Sequence, residues 1–195
     1  MAKLDHLPRI EITSRGELRS WLAEHHAGGS AIWLVTWKKP SPHHVPYGDI
    51  VEEALCFGWI DSLPRKLDDK RSMFLLAPRK PKSSWSALNK RRAEALIDSG
   101  LMQDAGLTVI NAAKDSGTWS ALDAVEALLL PDDLKRVLAR SKQAQKNFDA
   151  FPPSVKRSIL EWITSAKKPE TRAARIEETV GKAKVNLRAN QWRQP

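Results

Sequence analysis

The chain has 195 residues, 42% of them hydrophobic, and its 32 Lys+Arg against 23 Asp+Glu give a formal net charge of +9. This is enough for one medium domain or two small ones around a packed core, and it argues against a disordered chain. No run approaches the ~20 apolar residues of a membrane span, the N-terminal Met1–Pro8 has no apolar leader core, and the single Cys56 excludes an internal disulfide scaffold and a multi-cysteine zinc site.

Ser14 with Glu17 three residues later forms a Ser-x-x-Glu capping box, Leu18, Trp21 and Leu22 share one helical face, and Gly28-Gly29 closes that helix. Ala31 to Trp37 is apolar on both faces and predicts a buried strand. Pro40, Pro42 and Pro46 make the next stretch a loop. Asp49 is placed to cap a helix carrying Ile50, Ala54 and Phe57, with Gly58 as its stop. Trp59 to Ser62 and Arg65 to Leu67 are strand candidates, and Ser72 to Ala77 reads as the return strand after the turn Asp68-Asp69-Lys70-Arg71. Ser83 or Ser84 opens a helix through Trp85, Leu88 and Leu96, and Met102 to Ala113 predicts another. Beyond Gly117 only helical spacing remains: Leu122/Val125/Leu129, a start at Pro131-Asp-Asp, a short helix at 144–148, one from Pro153 and one from about Pro169. The expectation is an α+β fold. It has a small, mostly antiparallel sheet with flanking helices over 1–117, an all-helical region over 118–185 and a frayed tail over 186–195.

Charge is unevenly placed. Net charge is −1 over residues 1–60, +7 over 61–92, −7 over 93–133 and +10 over 134–195. Basic blocks attract polyanions, but blocks of opposite sign in one chain also face each other.

Two motif sets carry a family resemblance. One is Phe57-Gly-Trp-Ile-Asp-Ser62 with Pro78-Arg-Lys-Pro-Lys-Ser-Ser-Trp-Ser86 and Asn89. The other is Pro131-Asp-Asp-Leu134, Phe148, Pro153-Ser154, Trp162-Ile163, Ala166-Lys167, Glu170-Thr-Arg172 and Arg175-Ile176. From about residue 57 to 176 the chain resembles the bacteriocin-protection, YdeI/OmpD-associated family. The resemblance implies a small soluble bacterial protein linked to protection against antimicrobial peptides, and brings no agreed catalytic set.

Gly-x-Ser-x-Gly, P-loop and Gly-x-Gly-x-x-Gly templates are absent. His25-His26 and His43-His44 are adjacent pairs whose side chains point apart, so no metal and no cofactor is expected. Cys56 reads as a small buried hydrophobe near a helix C-terminus. The informative constellation is Trp59, Asp61, Arg65, Arg79, Lys82, Ser84, Trp85 and Asn89. Here a helix start preceded by Arg79 and Lys82 offers an anion site, with Trp59 or Trp85 to stack on a planar group. On the plainer reading Asp61 pairs with Arg79 or Arg65, Ser84 caps the helix and the indoles fill the core. Lys80, Lys90, Arg91 and Arg92 form the alternative, a footprint for nucleic acid without a helix-turn-helix or RNP signature. Arg175 and Glu178 read as a surface ion pair.

Three functions follow as expectations. The first is a non-catalytic cytoplasmic stress or antimicrobial-protection protein that binds a small anionic ligand or a protein partner. The alternatives are a nucleic-acid-binding protein using 79–92 and the C-terminal helices, and an enzyme acting on a small anionic substrate near Trp59, Asp61 and Arg79. The +9 charge disfavours direct capture of a cationic peptide unless the acidic 93–133 block supplies a patch.

Overall fold

The chain divides into two compact units, Met1–Ser120 and Ala121–Pro195, of which the computed structural model describes residues 4–191. The first three residues of the leader reading and the last four of the tail reading lie outside the described residues.

The first unit runs β1 (Arg9–Glu11), α1 (Arg15–His25), β2 (Ile32–Trp37), α2 (Tyr47–Cys56), β3 (Trp59–Lys66), β4 (Arg71–Pro78), α3 (Ala87–Asp98) and α4 (Asp104–Asp115). Ser14 Oγ accepts the Glu17 N–H at 3.1 Å, and the Glu17 carboxylate reaches back to Thr13 N and Oγ1 at 2.7 and 2.8 Å. Both sides of the box are thus occupied, which fixes where α1 starts. The start of α2 differs from expectation. It follows Pro46 directly, and Asp49 lies in its first turn, 3.3 Å from Arg15.

The four-stranded sheet has the order β1-β2-β4-β3. It is mixed: β1 pairs parallel with β2, whereas β2–β4 and β4–β3 are antiparallel. The parallel pair arises because α1 crosses over between β1 and β2, whereas the β3–β4 turn allows a hairpin. At three residues β1 is too short to show alternation. The two strand candidates after residue 59 are one strand, β3, with a register shift between Asp61 and Pro64. Pro64 has no N–H to donate, and the bulge there removes the need for one.

The apolar run of β2 explains its burial on both faces. Ile32 and Leu34 enter the main core with Leu18 and Leu22 of α1 and Ile50, Ala54 and Leu55 of α2. Trp33 and Val35 face the opposite side, where Met73, Leu4, Leu7, Leu67 and Leu75 cover them. Period-two alternation assigns each residue its side.

The second unit holds α5 (Asp123–Glu126), α6 (Asp132–Leu138), α7 (Lys142–Ala150), α8 (Pro153–Thr164) and α9 (Pro169–Lys184), and no strand among the described residues. The 122–129 stripe makes only one helical turn: Leu128 takes a φ of 54° and Leu129 is 62% exposed. Leu134, Leu138, Phe148, Ile159, Ile163, Ile176 and Val180 form the core. In the described part of the tail Ala189 is buried in this core and Gln191 Nε2 donates to Ser158 Oγ at 2.9 Å, while Asn186, Leu187 and Asn190 are exposed. Among the described residues no helix is long and apolar enough to cross a membrane.

Charges of opposite sign meet inside this unit. Asp133 receives two bonds from Arg172, at 2.6 and 3.0 Å, while Glu126 pairs with Arg157 and Asp132 with Lys135. Arg175 differs from expectation: it donates to the Trp162 carbonyl and to Ser165 Oγ and lies over the Trp162 ring, while Glu178 pairs with Lys182. The Arg172 hydrogen bond is the main cause that holds the Asp133 carboxyl below the usual carboxylate range. A depressed acid contributes stability above its unfolded value near ~3.9, and loses it as pH falls through the folded pKa. Arg172→Gln is expected to cost about 1 kcal/mol at neutral pH, a modest figure because both side chains are partly solvated. The variant is also expected to shift acid unfolding, followed by Trp fluorescence, to higher pH. An unchanged acid transition would contradict the assignment.

Candidate functional site

Arg79 follows the last residue of β4, and its N–H donates to Gly58 O at 2.9 Å. A tight turn, Ser83 N to Lys80 O at 2.9 Å, then brings Trp85 into the core. The helix starts later than Ser83 or Ser84. Ser86 is its N-cap and accepts the Asn89 N–H, so α3 begins at Ala87. Ser86→Ala is expected to cost about 1 kcal/mol in denaturant titration, whereas Ser84→Ala, away from the cap, is expected to cost little.

The turn folds Arg79 back over Trp85. The guanidinium carbon lies 3.8 Å from the indole centroid, and Nη2 donates to the Ser84 carbonyl at 2.5 Å. Arg79 is 8% exposed and, among the described residues, has no carboxylate in ion-pair reach. Arg79 Nε and Trp85 Nε1 are both buried donors without an acceptor among the described residues. Beside them is a cavity of 60 Å³, lined by Arg79, Lys80, Ser83 and Trp85 and by Val109 and Ala112 of α4.

Burying a cation without a counter-charge is costly. Burial alone pushes the Arg79 pKa down to about 10, which still leaves it charged at neutral pH. The cation, two orphan donors and a small cavity therefore converge on one point. The space corresponds to about two waters, enough for one inorganic oxyanion or a carboxylate head. A buried cation and two free donors facing a small space are the chemistry that suits an anion.

The structure brings together only three of the eight candidate ligand residues: Arg79, Trp85 and, through its carbonyl, Ser84. Trp59 is buried, donates from Nε1 to His26 O at 3.1 Å and meets Trp21 edge to face. Asp61 pairs with neither Arg79 nor Arg65. Instead it accepts the Tyr47 hydroxyl at 2.5 Å, and burial together with this bond pushes the Tyr47 pKa up to about 12. Arg65 pairs with Asp5 at 2.6 Å and lies over Trp33. Lys82 is exposed, and Asn89 belongs to the first turn of α3. The lining of the Arg79 cavity includes neither Trp59 nor Asp61, because Asp61 lies along β3 opposite Leu76, away from the turn.

The nucleic-acid candidates go to three places. Lys80 edges the small cavity, Lys90 lies over Trp119, and Arg91 and Arg92 line a separate cleft of 790 Å³ between α1, α2 and α3. The opposite wall of that cleft holds Glu53, 2% exposed, bonded by Arg15 at 2.6 Å and Arg19 at 2.8 Å. This buried carboxylate was not apparent from sequence. Cys56 is fully buried, and desolvation, aided by Glu53, pushes its thiol pKa up, so it is not a reactive thiolate. His25 and His26 each engage a main-chain carbonyl four residues back through Nδ1, and the described residues hold no metal-binding cluster.

Residues 10–109 match the family model described as Domain of unknown function (DUF8412). Residues 127–186 match the model described as Bacteriocin-protection, YdeI or OmpD-Associated. The motifs at 57–62 and 78–89 thus fall in the first match, and those from Pro131 to Ile176 in the second. No curated protein and no solved structure matches the chain.

Proposed function

We propose a role that proceeds from family membership: the chain belongs to the DUF8412 family through residues 10–109 and carries a bacteriocin-protection, YdeI or OmpD-associated region at residues 127–186. It is a non-catalytic protection protein of the cytoplasm, organised as two domains, whose N-terminal domain binds a small anion at Arg79 and Trp85. The carrying observation is the buried guanidinium with no carboxylate partner beside the 60 Å³ cavity. Protection through this site is indirect, because an anion pocket does not capture a cationic peptide. Three of the acids in the 93–133 block, Glu126, Asp132 and Asp133, are already ion-paired.

Inorganic phosphate, sulfate and acetate, titrated in thermal unfolding at low ionic strength, test the reading. A ligand that binds only the folded state raises stability by about 2.7 kcal/mol at 100 times its Kd. At least one of the three is expected to raise the melting temperature of the wild type and not of Arg79→Met. Equal shifts in both proteins, or none in either, would contradict the reading.

A further inference from the structure

The 790 Å³ cleft is of a different kind from the Arg79 cavity and lies within the 300–1,000 Å³ of small-molecule sites. Its two charged walls are unequal. On the α1/α2 side every charge has a partner, two guanidiniums against three carboxylates. Arg15 reaches Glu53, Glu52 and Asp49 at 2.6, 3.0 and 3.3 Å, and Arg19 reaches Glu53 at 2.8 Å and the Leu101 carbonyl at 2.9 Å. Glu53, buried at the end of these bonds, fixes both guanidiniums in place.

On the α3 side the charges are open. Among the described residues Arg91 has no carboxylate in ion-pair reach, and Arg92 meets only the Asn89 side-chain oxygen, at 3.4 Å. Arg92 Nη2 reaches toward the first turn of α2, 3.9 Å from where a Cβ on Gly48 would stand. Between the walls the lining is apolar, with Ala95, Leu96 and Leu101.

We propose that this cleft is a second ligand site, taking an organic phosphomonoester whose phosphate is held by Arg91 and Arg92 and whose apolar or planar body rests on Leu96 and Leu101. Two open guanidinium forks match a doubly charged phosphate, which accepts paired N–H donors from each. The paired wall adds no net attraction of its own. The body supplies contact area that free phosphate lacks, so phosphate alone binds here weakly.

The test uses 1-naphthyl phosphate, with 1-naphthol and inorganic phosphate as comparisons, followed by calorimetry on the full chain. Wild type is expected to bind 1-naphthyl phosphate at least tenfold more tightly than either comparison. The double variant Arg91→Gln/Arg92→Gln is expected to lose at least tenfold, and Arg79→Met to retain the binding, which separates this cleft from the small cavity. Arg91 is exposed and Arg92 half-buried on a helix surface, and circular dichroism checks that the double variant is folded. No binding by wild type, or binding that survives the double variant, would overturn the proposal. It would also be overturned, in favour of a nucleic-acid surface, if the double variant lost only salt-sensitive binding of single-stranded DNA.

Discussion

Arg79→Met is expected to leave the stability of the N-terminal unit within about 1 kcal/mol of wild type while lowering affinity for the bound anion at least 100-fold. Most substitutions of a buried, bonded side chain cost far more, so near-neutrality is itself informative. Losing the cation–π stack on Trp85 costs about 2 kcal/mol, and losing the charged bond to the Ser84 carbonyl costs about 1.5 kcal/mol or more. Against this, the burial that pushes the Arg79 pKa down to about 10 corresponds to about 3 kcal/mol of desolvation that the variant no longer bears. The orphan Nε donor disappears as well, worth about 1 kcal/mol, and the methionine sulfur keeps a favourable contact with the indole. A buried charge that leaves stability unchanged when removed is retained for something other than folding. Chemical denaturation of both proteins in anion-free buffer supplies the number. A loss of 3 kcal/mol or more would make Arg79 a structural clamp for the 79–86 turn.

Gly106→Ala is expected to destabilise the same unit by about 3 kcal/mol, a fall of roughly 10 °C in melting temperature. In an ordinary helix interior the exchange stabilises, because alanine loses less backbone entropy. Here a Cβ would stand 2.5 Å from Cys56 O, 2.7 Å from Leu55 O and 2.5 Å from Met102 Sδ. Met102 is an unbranched side chain that can change rotamer. The carbonyls are held, since Gln103 N donates to Cys56 O at 3.2 Å and Gly58 N to Leu55 O at 3.1 Å. Gly106 is therefore the point at which α4 rests on the end of α2. A melting temperature equal to or above wild type would show that the two helices separate at little cost.

Elements with their own local signal were legible. The Ser14–Glu17 box, the two-sided apolar run of β2 and the Pro153 start of α8 appear where spacing and capping chemistry place them. The second motif set is legible for a physical reason. Asp133 and Arg172 bind each other, Arg175 holds Trp162, and Phe148, Ile163 and Ile176 are core residues. What spacing does not carry is partnership across the chain. Asp61 faces Tyr47 because α2 packs beside β3, and Arg65 reaches back sixty residues to Asp5. Spacing placed the start of α3 at Ser83 or Ser84, whereas the cap is Ser86, with Trp85 buried just before it. Arg79 and Trp85 were visible as a pair of residue types. That one stacks on the other with no acid nearby is a product of the turn between them.

The division of charge is also clearer than the total of +9. The acidic block supplies Glu126, Asp132 and Asp133 to basic partners in its own unit. Arg65, Lys66 and Arg71 of the basic block are likewise paired with acids. Among the described residues with no carboxylate in ion-pair reach are Arg79 at the small cavity and Arg91 and Arg92 at the cleft.

The most direct test is solution NMR of two protons, the Arg79 Nε–H, identified by its loss in Arg79→Met, and the Trp85 indole N–H, identified by its loss in Trp85→Phe. On titration with inorganic phosphate at low ionic strength, both are expected to move together and to saturate, while the other arginine Nε–H signals change little. If both stay fixed while phosphate reaches tens of millimolar, or if they move no more than exposed arginines do, Arg79 holds no anion and the account is wrong.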